Sequence, residues 1–362
     1  MIPSLRRMLA AWAVLPAILA AAAAASDEAI LAAARREGKV VVYSVLSNKA
    51  AQPLVSDFSA LYPDIKVEYD GEMGSTELVD RLTSETTAGK ESADVVWSSA
   101  MDLQLKLVED GYAMPYASPE AKGLPAWARY RDLAYGTTFE PVVFIYNKER
   151  ISGDDIPQDH AAFARLLDAR PENFAGKVTA FDIEKSGVGF MFAAQDRRNF
   201  AGLDDLLRAF GKTGYQPSAG TGTMLEKVTS GEYLLGYNIM GAYALVRAKR
   251  EPTLGVVLPK DYTLVLSRVA FINKNARHPN AAKLWLDYLL SKRGQTVIGN
   301  RLELFAIRDD VEAEYSAARL SRQIGPAMRP IPLSGELVRD LAPAKKRELI
   351  DAWNAAVAAG RR

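Results

Sequence analysis

Between Lys39 and Tyr112 the chain alternates strictly between short apolar, β-branched runs and stretches of helical periodicity. That alternation constrains the fold more than any other feature of the sequence. KVVVYSV, from Lys39, is a continuous apolar run of the kind that suits a strand covered on both faces of a parallel sheet. SNKAAQPLVSDFSALYP is helical by periodicity and stops before Pro63. IKVEYDG reads as the next strand. GSTELVDRLTSETTAGK is the next helix, opening at Ser75 or Thr76 and ending near Gly89. ADVVWSS and MDLQLKLVEDGY repeat the pattern, and SDEAILAAARREG precedes it as a short helix with Gly38 at its C-cap. Strand and helix in strict alternation predict a doubly wound α/β unit with right-handed crossovers. In such sheets ligands sit beyond the carboxyl ends of the strands, where helices begin. Residues 44–48, 71–76 and 98–102 occupy that edge.

The middle of the chain starts a second unit. YGTTFEPVVFIYNK is strand-rich, with Pro141 disfavouring a central strand position. KVTAFDI is a strand, followed by the turn Ser186-Gly187-Val188-Gly189 and a helix through FMFAAQ. In GTMLEKVTSGEYLLGYN, Thr223 and Glu226 have capping-box spacing, and the helix should end by Gly231. YTLVLSRVAFINK reads as a strand pair. PNAAKLWLDYLLSKRG is a helix with Pro279 in its first turn and Gly294 after its end. The tail, from about Val311, is charged and helical in patches. The chain exceeds the usual size of one hydrophobic core, so two lobes are expected. Short crossings near residues 136–140 and 259–263 would join them.

The amino terminus, MIPSLRRMLAAWAVLPAILAAAAAA, has a basic start, a short apolar run and small residues matching an A-x-A cleavage pattern. Residues 1–25 are expected to be a secretory signal peptide, cut near Ala25–Ser26. The Arg6-Arg7 pair leaves the twin-arginine route as an alternative to general secretion, although its flanks match poorly. No later stretch is apolar for long enough to span a bilayer. The formal net charge is +1, and losing Arg6 and Arg7 gives 1 − 2 = −1. So even a balance offers no basic field for nucleic acid. Cysteine is absent, which excludes thiol catalysis, disulfides and Cys-ligated zinc.

Catalytic constellations are hard to assemble from these residues. The two histidines, His160 and His278, stand in polar segments and read as solvated surface groups. No G-x-S-x-G, H-E-x-x-H, P-loop or calcium-loop pattern occurs. Asp154-Asp155 and Asp309-Asp310 lie in expected turns, which keeps an exported hydrolase using paired acids as an alternative. The turns offer binding chemistry instead. At Ser186-Gly187-Val188-Gly189 glycines let a ligand approach the backbone, and the helix start supplies unpaired N–H groups and a hydroxyl. Gly74-Ser75-Thr76 and Ser98-Ser99 repeat the offer in the first unit, although plain capping accounts for each turn equally well. Tyr43, Trp97, Phe139, Tyr237 and Tyr243 are candidate cleft aromatics, and Tyr233 reads as core.

The order of signal peptide, VVYS, GSTEL, ADVVWSS, GTTFEPVVFIYNK, SGVG and SGEYLLGYN resembles the periplasmic solute-binding proteins of ABC importers. More narrowly it resembles their ferric-iron- and organophosphate-binding branch. The resemblance spans nearly the whole mature chain. It implies two doubly wound α/β lobes joined by a hinge, the type II periplasmic binding fold. Lobe 1 would take residues 26–137 plus 264–306, and lobe 2 residues 138–263 plus 307–362. It implies a non-enzymatic receptor in the periplasm, without cofactor or metal and expected to be monomeric. The receptor would hand a small anionic solute, phosphorylated or carboxylated, to an inner-membrane permease or, alternatively, to a sensor kinase. The expected ligand-binding residues are Ser44, Ser47, Ser75, Thr76, Ser98 and Ser99 in lobe 1. In lobe 2 they are Ser186, Gly187, Gly189, Asn238 and Tyr243, with Thr138 at the hinge. Iron binders of the branch carry adjacent tyrosines where this chain has Met240 and Gly241, and a Met-Gly pair offers no hard oxygen donor. A ferric receptor is therefore the alternative reading.

Overall fold

The computed structural model describes residues 28–362, so the expected signal peptide lies outside the described residues. A helix covering residues 28–37 (α1) leads into β1 (Lys39–Ser44), α2 (Asn48–Leu61), β2 (Lys66–Asp70), α3 (Ser75–Thr87), β3 (Val95–Ser98) and α4 (Met101–Glu109). The chain continues through β4 (Arg129–Tyr130), β5 (Ala134–Gly136), β6 (Glu140–Asn147), α5 (His160–Ala169), β7 (Val178–Phe181), α6 (Gly187–Asn199) and α7 (Leu203–Thr213). Next come β8 (Gln216–Ser218), α8 (Thr221–Thr229), β9 (Leu235–Met240), α9 (Gly241–Arg250), β10 (Leu254–Val257), β11 (Thr263–Leu266) and β12 (Val269–Ile272). The remainder is helical: α10 (Pro279–Leu290), α11 (Lys292–Arg301), α12 (Ala317–Ile324), a short β13 (Met328–Pro330), α13 (Gly335–Asp340) and α14 (Pro343–Gly360).

Among the described residues the strands form two sheets. One runs β2-β1-β3-β12-β5-β4, and the other β13-β11-β6-β9-β7-β8 with β10 also paired to β6. The parallel unit β2-β1-β3 is the one the alternating sequence predicts. β12 then joins β3 antiparallel, because it enters the first sheet from the second lobe rather than through a crossover helix. The buried side chains of Val40, Val42, Val95 and Trp97 carry the core on one face of this sheet, which α10 closes with Trp285 and Leu289.

Several local expectations change. Pro141 sits in β6, a central strand. Pairing to β9 starts only at Val142, so the missing N–H breaks no rung there. α8 starts at Thr221 with Gly220 as N-cap, so Thr223 lies inside the helix and forms no capping box. Gly294 does not end α10. It stands in α11, where any side chain would meet the Tyr288 carbonyl, so only glycine allows the tight turn between the two helices. β11 and β12 do not form a pair: β11 pairs with β6 and β13, and β12 with β3 and β5. The second crossing is therefore at Ser267–Arg268 rather than near residues 259–263.

The two crossings lie against each other and are bonded together. Thr137 N and Oγ1 both donate to the Arg268 carbonyl at 2.8 Å, and the Arg268 N–H donates to Thr138 Oγ1 at 2.8 Å. Trp97 Nε1 donates to Thr137 Oγ1 at 2.8 Å, tying this joint to the end of β3. The tail then crosses back: β13 extends the second sheet, α13 packs on α4, and α14 packs along α7.

Candidate functional site

Between the lobes lies a cleft of about 800 Å³. Its first-lobe wall is the start of α3, with Gly74, Ser75, Thr76 and Glu77, together with Ser99 before α4. Its second-lobe wall combines Ser186 and Gly187 at the start of α6, Gly220 to Gly222 at the start of α8, and Tyr243 and Arg247 on α9. Each hydroxyl arrives by one local rule: a strand ends, and the next helix begins with small polar residues. A smaller hollow of about 320 Å³ lies between α5 and α7. It is walled by one lobe only, so lobe closure cannot enclose a guest there.

Of the expected residues, Ser75, Thr76, Ser99, Ser186, Gly187 and Tyr243 meet on this cleft. The others do not line it. Ser44 and Ser98 are buried, and their Oγ atoms accept from Leu46 N and Ala100 N. Ser47 caps α2, accepting from Ala50 N at 3.3 Å. Thr138 is buried in the hinge, where its hydroxyl donates to Glu140 Oε1 at 2.8 Å. Gly189 lies inside α6 against Phe181, where a Cβ would come within 2.5 Å of that side chain. Asn238 turns inward with a left-handed φ of 55° and donates to Asp196 Oδ2 at 2.6 Å. Asp196 also accepts from Tyr237 and Tyr262 at 2.9 and 2.7 Å, and burial holds its carboxyl above the ordinary carboxylate range.

Tyr43 and Trp97 belong to the core rather than the cleft. The histidines are not solvated either. His160 is 1% exposed, stacks on Tyr262 with ring centroids 3.9 Å apart, and bonds Asp261 through Nδ1. His278 Nδ1 lies 2.8 Å from the buried Asp94. Each ring is fixed by a carboxylate, and neither lines the cleft.

The three helix starts differ in what already occupies them. At α6, Ser186 Oγ accepts from Gly189 N at 3.2 Å. At α3, Glu77 reaches back to Gly74 N at 3.4 Å. At α8, Gly220 offers no side chain, so the first amides have no cap from it. Thr221 at this start is 8% exposed, and its Oγ1 has no partner. A Cβ on Gly220 or Gly222 would meet nothing within 4 Å, so space lies open before this end. An uncapped helix start with an unmatched hydroxyl suits an anion.

Two wall residues were missed in the sequence. Thr221 could have been found from the Gly-Thr-Gly-Thr run before a helical stretch. Arg247 stands four residues after Tyr243, and that spacing puts both on one face of α9. Behind the wall, Arg268 is wholly buried and paired with Glu140, Nε to Oε1 at 2.9 Å. Burial works to lower the Arg268 guanidinium, but the adjacent Glu140 charge outweighs it and holds the group charged. Where adjacent tyrosines would stand for iron, a Cβ on Gly241 would lie 2.5 Å from the Pro141 carbonyl oxygen.

The model of the bacterial extracellular solute-binding protein family matches residues 53–320. The substrate-binding protein of an ABC transporter from Agrobacterium tumefaciens is 38% identical, covering 88% of this chain and 94% of its own, with a TM-score of 0.82. The periplasmic binding protein AfuA from Actinobacillus pleuropneumoniae, solved with exogenous fructose-6-phosphate bound, is 21% identical. It covers 88% of this chain and 98% of its own, with a TM-score of 0.68. Apo ferric ion-binding protein A from Pasteurella haemolytica is 18% identical over 88% of this chain and 96% of its own, with a TM-score of 0.66.

Proposed function

Because this chain belongs to the bacterial extracellular solute-binding protein family, we propose that it is a periplasmic receptor of an ABC importer that captures a small anionic organic solute between its lobes. One observation carries the anionic reading: hydroxyls and helix starts of opposite lobes face one cleft, and the α8 start with Thr221 lacks any acceptor of its own. A phosphate or carboxylate supplies that acceptor. The lobes close by rotation about the paired crossings. The closed state is favoured because only there do Ser75 and Ser99 meet the same guest as Ser186 and Thr221. The inner-membrane permease then receives the loaded form.

The ferric reading finds less support in these residues. Met240 is a poor donor for ferric iron, and Gly241 has no room for a side chain beside β6. An exported hydrolase would need a nucleophile or paired acids on the cleft, whereas Glu77 is the cleft's only carboxylate among the described residues.

Calorimetric titration of the mature protein with inorganic phosphate, glycerol 3-phosphate, pyridoxal phosphate and citrate tests the proposal. One solute should bind with unit stoichiometry and return unchanged. Ser75→Ala and Thr221→Ala, from opposite walls, should each weaken it by about tenfold, as expected for one lost hydrogen bond to a charged group. Turnover of the solute, or full affinity in both variants, would overturn the reading.

A further inference from the structure

The charges on the cleft wall are unequally matched. Glu77, Lys185 and Arg247 line the main chamber. Glu77 is engaged at the start of α3, and Lys185 Nζ lies 3.5 Å from Asp182. The Arg247 side chain alone of the three makes no hydrogen bond or ion pair among the described residues, and its Nε is closed off from water with nothing to donate to. A guanidinium carries five fixed donors and is charged at every relevant pH, so leaving it half-buried without an acceptor is costly. Its surroundings add a second fact. Arg247 and Tyr243 also line a second chamber of about 500 Å³, whose wall includes Leu46, Ala50, Val246 and Leu304. The side chain therefore stands where two chambers meet, within reach of a guest in either.

Resting on the receptor reading above, we propose that Arg247 is the residue that selects the guest for negative charge. Its guanidinium takes the anionic group of the solute at the junction of the chambers. Its two terminal nitrogens present the parallel donors that match two oxygens of a carboxylate or phosphate. Lysine cannot replace it, because an ammonium is a point charge and lacks this fork. Thr221 and the α8 amides hold the guest from a second side. Lys185 is an exposed ammonium beside Asp182, a point charge without that fork, and adds little selection.

The test compares wild type with Arg247→Gln, Arg247→Lys and Arg208→Gln. Arg208 lies outside the cleft and pairs with Asp205, so its variant controls for net charge. Inorganic phosphate, glycerol 3-phosphate and citrate are the anionic probes, and glycerol and glucose the neutral ones. The anion that wild type binds should lose about 30-fold or more in Arg247→Gln and about tenfold in Arg247→Lys, the range for a lost charge-assisted or bidentate contact. Arg208→Gln should leave it unchanged. Thermal melts establish that each variant is folded, and a misfolded glutamine variant leaves the lysine variant to decide. Full affinity in Arg247→Gln or Arg247→Lys overturns the proposal. If Ser75→Ala still weakens binding in that case, the receptor reading stands and only the role of Arg247 falls. A wild type that binds a neutral probe and none of the anions overturns the role of Arg247 and the anionic part of the receptor reading, and leaves only a solute receptor. A wild type that binds none of the probes overturns both.

Discussion

Arg268 Nη2 donates to the Tyr243 phenol oxygen at 2.8 Å, so the buried ion pair of the hinge reaches the cleft wall through one hydrogen bond. Arg268 belongs to the second crossing and Glu140 opens β6 directly after the first, so their pairing also clamps the joint. Removing one partner strands the other as a buried charge. Arg268→Met should therefore cost about 3–5 kcal/mol, and the double change with Glu140→Gln should recover a large part of it. Urea denaturation of the three proteins checks this; a double variant no more stable than the single one contradicts it. Tyr243→Phe leaves the ion pair intact and should cost only about 1 kcal/mol of stability. It should still weaken solute binding, because a bonded Arg268 leaves the phenol proton free to turn toward the cleft.

The bare start of α8 offers an opposing pair of effects at one position. Gly220 has extended backbone, φ −144° and ψ 146°, and open space around a would-be side chain. Gly220→Asp should cap the helix and stabilise the protein by about 0.5 kcal/mol. The same carboxylate occupies the amides proposed for the solute anion, so affinity should fall by about tenfold or more. A melt and a titration on one sample suffice. Gain of stability with unchanged affinity would mean that the anion sits elsewhere.

Local rules made the first sheet legible before any coordinates. The runs around Val40 and Val95 are apolar for their whole length, and the helices between them carry clear stops at Pro63 and Gly89. The same rules put Ser75, Ser99 and Ser186 at helix starts on one edge, where the cleft lies. They failed where a side chain's direction depends on remote partners. Asn238 looks like a cleft residue until Asp196, far away in sequence, draws its amide inward. His160 and His278 look solvated because Asp261 and Asp94 are distant in the chain. The second crossing was misplaced because β11 and β12 form one continuous apolar segment, and no local signal reveals that its halves serve different sheets. Arg247 sits among other basic residues of α9, and only the helical spacing from Tyr243 distinguishes it.

Asp102 makes the protein sensitive to pH near neutrality. It lies in the first turn of α4, wholly buried, with Oδ2 unpartnered, and burial pushes its carboxyl from 3.8 up to about 7. The native state thus binds this proton more tightly than the unfolded chain. The stabilising effect of that proton is fully present below the ordinary carboxylate range and is lost as pH rises through about 7. Asp102→Asn mimics the neutral form at every pH. Its advantage over wild type should be negligible below pH 4, widen toward neutrality, and level off near pH 8 at no more than about 4 kcal/mol. Melting curves across that range check the sign. An asparagine variant that is less stable at pH 8 would show that the ionised carboxylate has a partner.

Ferric citrate is the last discriminating probe, and the geometry around Gly241 sets the expectation. Phenolate coordination gives ferric proteins visible colour. Here Tyr243 is the only tyrosine on the cleft wall among the described residues, and its oxygen already accepts from Arg268. One phenol oxygen alone does not make up the set of hard anionic oxygen donors that ferric iron requires. Installing the absent pair does not restore a site, because a Cβ at position 241 would lie 2.5 Å from the Pro141 carbonyl oxygen and 2.8 Å from Val143 Cγ1. Both belong to β6, the central strand next to the hinge, and neither can swing aside as a flexible side chain does. Wild type should therefore stay colourless with stoichiometric ferric citrate. Met240→Tyr with Gly241→Tyr should lose stability, by about 1–3 kcal/mol or more as for an overpacked core, without gaining colour. A stoichiometric coloured complex in wild type, bleached by Tyr243→Phe, would instead make this protein an iron receptor.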